Sequence, residues 1–90
     1  SVDDASASIS LAPNPANGVV YIHAGKEIRD IRKINLIDAG GVTIESFSIP
    51  QDASEDFVPE LHVASLPSGV YFVVLEKTFS RSMLKLTVVH

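Results

Sequence analysis

His23, His62 and His90 are the side chains of this 90-residue sequence best suited to proton transfer or zinc ligation. They stand far apart, no H-E-x-x-H is present, and Asp38-Ala39-Gly40-Gly41 does not continue into a calcium loop. A strand histidine with a hydrogen-bonded ring is the expected role for each. The serines never occur as G-x-S-x-G. Ser82-Met83-Leu84-Lys85 has the Ser-x-x-Lys spacing of a serine/lysine acylase but lacks its companion motifs and falls in a strand pattern. With no cysteine there is no thiolate nucleophile or ligand and no disulfide. No glycine-rich phosphate loop is present. No catalytic, metal or cofactor-binding residue is expected, and the reading is of a protein that is not an enzyme.

Charge narrows the partners. Seven bases against eleven acids give a net charge of -4, the wrong sign for neutralising phosphates, so nucleic acid is not an expected partner. The balance is uneven: residues 61–90 hold Glu76 against Lys77, Arg81 and Lys85 and are mildly basic, whereas the first sixty residues are strongly acidic. No apolar run reaches the roughly 20 residues needed to span a bilayer as a helix. The start, Ser-Val-Asp-Asp-Ala-Ser-Ala-Ser, lacks the basic and apolar regions of a secretory leader, so a leader of an exported parent would lie upstream.

Residues 1–7 are small and acidic and read as a linker remnant, leaving 8–90 as one domain. Short apolar or alternating runs follow at Ile9–Ala12, Val19–His23, Ile31–Ile37, Val42–Ile49, Leu61–Val63, Val70–Glu76 and Leu84–Val89. Turn clusters separate them at Pro13–Gly18, Asp38–Gly41 and Leu66–Gly69. Lys26–Arg32 and Asp52–Glu60 could each form a turn or two of helix. The expectation is all-β: a seven-stranded antiparallel, immunoglobulin-like β-sandwich, with a small barrel as the alternative.

Val70–Leu75 is apolar at both parities, although a strand of a two-layer sandwich buries one face. Pro67 and Gly69 suit a turn, and Tyr71 at the strand's start can fold inward while its hydroxyl reaches back to the loop, like a tyrosine corner. Tyr71, Val73 and Leu75 then point inward, and Val70, Phe72 and Val74 form an outer stripe. In the last strand Leu84, Leu86 and Val88 share one face, and Lys85, Thr87 and Val89 the other. As a sheet edge, this strand would offer unpaired backbone groups to a partner or to a second copy.

Four motifs in order resemble the C-terminal sorting domains of the type IX secretion system of Bacteroidetes, the Por secretion system sorting domain family. The first is Pro13-Asn14-Pro15-Ala16 with Gly18 close behind, and the second the Asp38-to-Gly41 hairpin between strands. The third is Leu66-Pro67-Ser68-Gly69-Val70-Tyr71, and the last is Lys85 leading into Leu86-Thr87-Val88-Val89. Family members often close on Lys or Arg where this sequence has His90, and Ala39-Gly40-Gly41 carries an extra small residue.

The resemblance implies a noncatalytic, cofactor-free signal. It would direct a covalently linked upstream cargo, already in the periplasm, through the outer-membrane type IX translocon to the cell surface or medium. A sortase-like surface peptidase would then remove the domain and attach the cargo to lipopolysaccharide. The translocon would recognise the motif residues Pro13, Asn14, Pro15, Gly18, Gly41, Leu66, Pro67, Gly69, Tyr71, Lys85, Val88 and Val89, and a homodimer could form by strand exchange. The alternative is an immunoglobulin- or fibronectin-like adhesion module, or a carbohydrate-binding one. With no Trp and only Tyr21 and Tyr71 as tyrosines, the platform for a sugar is poor.

Overall fold

Alternation of apolar with polar residues, broken by Pro, Gly, Asn and Asp clusters, produces the strands β1 (Ser10–Ala12), β2 (Val19–His23), β3 (Ile31–Asp38), β4 (Thr43–Ser48), β5 (Glu60–His62), β6 (Gly69–Lys77) and β7 (Arg81–Val88). These come from a computed structural model that describes residues 9–90, so the linker reading of residues 1–7 lies outside the described residues. Every strand pairing is antiparallel, and the strands form two sheets ordered β1-β2-β5 and β4-β3-β6-β7. The separation of strands 1, 2 and 5 from strands 3, 6 and 7 is that of an immunoglobulin-like sandwich, with β4 carried on the edge of β3.

The core lies between the sheets and is built by one parity of each strand. β2 contributes Val20 and Ile22 while Tyr21 and His23 face water; β3 contributes Ile34 and Leu36, and β6 Tyr71, Val73 and Leu75. Leu61 of β5 and Leu86 and Val88 of β7 complete it, each at most 1% exposed. The inward set expected for β6 is therefore the observed one.

Of the two helix candidates, the first is borne out as a short 3-10 helix over Gly25–Asp30, which seats Ile28 in the core. Two expectations need correction. Asp52–Glu60 forms no helix: the acidic run is bracketed by Pro50 and Pro59 and folds as two tight turns, closed by Ala53 N–H to Pro50 O (3.1 Å) and Phe57 N–H to Ser54 O (3.0 Å). Finally, Val74 does not belong to an exposed stripe. It is buried, because its register neighbours Asn35 on β3 and Met83 on β7 stand on the same face close enough to cover a side chain as short as valine. Val70 and Phe72 remain partly open, as expected.

The 3-10 turn is tied to the sheet by an ion pair, Lys77 Nζ to Glu27 Oε1 at 3.3 Å, in which the Lys77 side chain is only 5% exposed. That bond fixes the end of β6 farthest from the sequence motifs. At the opposite end lie the β3–β4 hairpin, the Leu66–Gly69 loop and the close of β7.

Candidate functional site

Three of the four motifs meet around the last strand. Pro13 and Pro15 fix the backbone on either side of Asn14, and both preceding peptides are cis. Asn14 projects its amide onto the outer edge of β7: Nδ2 donates to the Lys85 carbonyl at 3.0 Å, and Oδ1 accepts from the Thr87 N–H at 3.0 Å. Two residues later the backbone takes over, with Ala16 N–H donating to Thr87 O (2.8 Å) and Ala16 O accepting from Val89 N–H (2.9 Å). A primary amide has one donor and one acceptor like a peptide group, so the Asn14 side chain fills one rung of a ladder that Ala16 continues. Ala16 is buried and pairs with Val88 as an isolated parallel bridge.

This corrects the expectation of an open terminal edge for the second half of the strand. β7 is the outermost strand of its sheet, yet its second half is closed by residues more than seventy positions earlier in the chain. Asn14→Ala is expected to cost about 1 to 2 kcal/mol, since two exposed hydrogen bonds are lost and water replaces part of them. Amide exchange at Thr87 should quicken with it. Asn14→Asp, which keeps the acceptor for Thr87 and loses the donor for Lys85, should fall between; urea unfolding and hydrogen exchange check both.

The other side of β7 is held by the Leu66–Tyr71 motif. Leu66 N–H donates to Val63 O at 3.1 Å, closing the turn, and Tyr71, 6% exposed, donates its hydroxyl to Pro67 O at 2.6 Å. This is the expected tyrosine corner. Gly69 pairs with Val88 and Tyr71 with Leu86, so the corner abuts the close of β7. Gly69 closes the turn with a φ of +158°, at the border of extended backbone, and begins β6. Beyond β7, His90 N–H donates to Ser68 Oγ (3.0 Å) and its Nε2 to Leu66 O (2.7 Å).

Lys85 is exposed, Thr87 half-buried, and Val89 52% exposed, all beside the closed edge. Gly41 sits farther off, in the β3–β4 hairpin at the same end of the sheet. Its φ of +91° suits glycine, and Asp38 Oδ1 accepts from Gly40 and Val42 N–H at 2.9 Å each. Gly18 is not part of the cluster: its carbonyl accepts from Val63 N–H at 2.8 Å in the three-stranded sheet. Ala16, Ser68 and His90 join the arrangement although they are not among the expected recognition residues, because each acts through a backbone group or a partner distant in sequence.

The histidines divide. His90 has the hydrogen-bonded ring expected of all three; His23 and His62 are exposed, and His62 Nε2 stands 3.9 Å from Glu60 Oε1. No cavity and no group of three or more potential metal ligands occurs among the described residues. The arrangement presents a surface on a locked scaffold.

The first and third motifs thus fasten the terminal strand of a β-sandwich, and the class of the domain follows from its family. The sequence matches the family model described as the secretion system C-terminal sorting domain over residues 10–89. That span is nearly the whole chain, and the protein belongs to this family of type IX sorting domains, a family of signals and not of catalysts. The comparison with curated proteins finds no match.

Proposed function

We propose that the domain is a noncatalytic type IX secretion signal that takes a covalently linked upstream cargo from the periplasm through the outer-membrane translocon, after which a sortase-like surface peptidase releases the domain and attaches the cargo to the cell surface. Membership of the sorting family supports this reading. The observation that carries its mechanism is the convergence of the Pro13–Ala16 and Leu66–Tyr71 motifs on β7, which holds Lys85 and Val89 outward on a fixed frame. A strand fastened on both sides is read as part of a folded surface and not as a loose peptide.

The test fuses residues 1–90 to a periplasmic reporter in a host with the type IX machinery. The reporter should reach the surface or medium. Lys85→Glu and Val89→Ser should leave stability within about 0.5 kcal/mol, as exposed substitutions do, and reduce export. A folded wild-type fusion retained in the periplasm overturns the sorting reading. Full export of both variants removes Lys85 and Val89 from the recognition surface and directs attention to Val70 and Phe72.

A further inference from the structure

The closure of the β7 edge is incomplete. The carbonyl of Lys85 and both backbone groups of Thr87 point outward into the Asn14–Ala16 clamp, so by the alternation of an antiparallel ladder the N–H of Lys85 and both groups of Met83 and Arg81 point outward as well. Among the described residues, none of these has a hydrogen-bond partner. The side chains of Arg81, Met83 and Lys85 share the outer face of the sheet, and all three are exposed. They form a sequence of cation, apolar, cation beside an unfilled row of donors and acceptors. Neither cation has a carboxylate partner among the described residues. Glu76, opposite Arg81 in register, is instead bonded to the amide of Asn35. At the hairpin where β7 begins, Phe79 is 98% exposed, and Lys77 N–H to Ser80 O (2.8 Å) fixes the turn that presents it.

We infer that the first half of β7 is an acceptor edge for an extended segment of a partner protein carrying carboxylates four residues apart with an apolar residue midway between them. Such a strand completes the ladder, sets its acids opposite Arg81 and Lys85 and its apolar residue opposite Met83, and cross-strand pairs of this kind are favourable. Charge selects this occupant over a second copy: two β7 edges paired about Met83 would set Arg81 against Lys85, cation on cation. β7 carries no acid, whereas the protein as a whole has a net charge of -4, so an acidic segment is drawn to this edge and repelled elsewhere. The inference deepens the sorting reading by giving the chemistry of one partner.

The probe is a synthetic peptide of sequence Thr-Glu-Thr-Val-Thr-Glu-Thr, titrated into the whole 90-residue chain and followed by backbone amide shifts and hydrogen exchange. Binding should protect the amides of Met83 and Lys85. It should weaken about tenfold or more when Lys replaces Glu in the peptide, when the peptide's edge-facing nitrogens are methylated, or when salt is raised. Arg81→Glu combined with Lys85→Glu should reverse the preference between the Glu and Lys peptides. Absence of binding, equal binding of the methylated peptide, or protection of Met83 by self-association each overturns the inference. So does protection by vesicles containing anionic lipid when the peptide gives none. Because the readout is binding in solution, its failure leaves the export result untouched, and failed export leaves the binding result untouched.

Discussion

Tyr71→Ala lowers stability by about 3 to 5 kcal/mol, the range for removing an aromatic ring from a packed core. The ring is 6% exposed and faces the interior between β3 and β7, so its loss leaves a void beside Leu86. Tyr71→Phe keeps the ring and loses only the bond to Pro67 O, for which about 1 kcal/mol is expected. The difference between the two variants separates packing from the corner bond in one urea experiment. A Tyr71→Ala midpoint equal to the wild type would remove the corner from the account of the fold. Hydrogen exchange should also show Gly69 and Val88 opening more readily in Tyr71→Ala, since the corner abuts their pairing.

Leu86→Ala is expected to cost about 2 to 5 kcal/mol, for its side chain is wholly buried in the terminal strand. The neighbouring exposed Lys85 should tolerate replacement. This contrast between adjacent positions is the sharpest check of the strand's parity. Loss of stability at Lys85 and none at Leu86 would mean that β7 is turned over, exchanging its core and outer faces. Leu86→Ala should also abolish export of a fused reporter at temperatures where the variant is unfolded and restore it on cooling. Lys85→Glu should show no such temperature dependence.

The strands were legible because their chemistry is local. Val19–His23 is a β-branched and aromatic run bounded by Gly18 and by Ala24-Gly25, and its predicted and observed limits coincide; the corner at Tyr71 follows from a proline, a glycine and an aromatic within five positions. The start of β7 was not legible. Arg81, Ser82 and Met83 carry no apolar alternation, and they are strand because the hairpin from β6 pairs them with Val74, Leu75 and Glu76. Val74 reads as an outer residue from parity alone, and its burial depends on the side chains that the register sets beside it. The motif residues of the site could be named from the sequence, but not what most of them do. Pro13-Asn14-Pro15 reads as a turn. That Asn14 serves as a rung for β7 depends on a pairing across 71 to 73 positions, to which no local pattern points.

The bonds between Asn14–Ala16 and Lys85–Val89 join the first turn of the fold to its last strand. The β3–β4 hairpin can form from neighbouring residues alone, but this closure needs the chain through Val89. Contacts of such long span are made late in folding, after their loop-closure entropy has been met by other pairings. The finished surface around β7 therefore exists only in a domain that carries its final strand. A product truncated before Thr87 keeps one partner of Asn14, the Lys85 carbonyl, but lacks the other and both partners of Ala16, and cannot display it. Any partner that bound this surface would bind only domains whose last strand is present and paired.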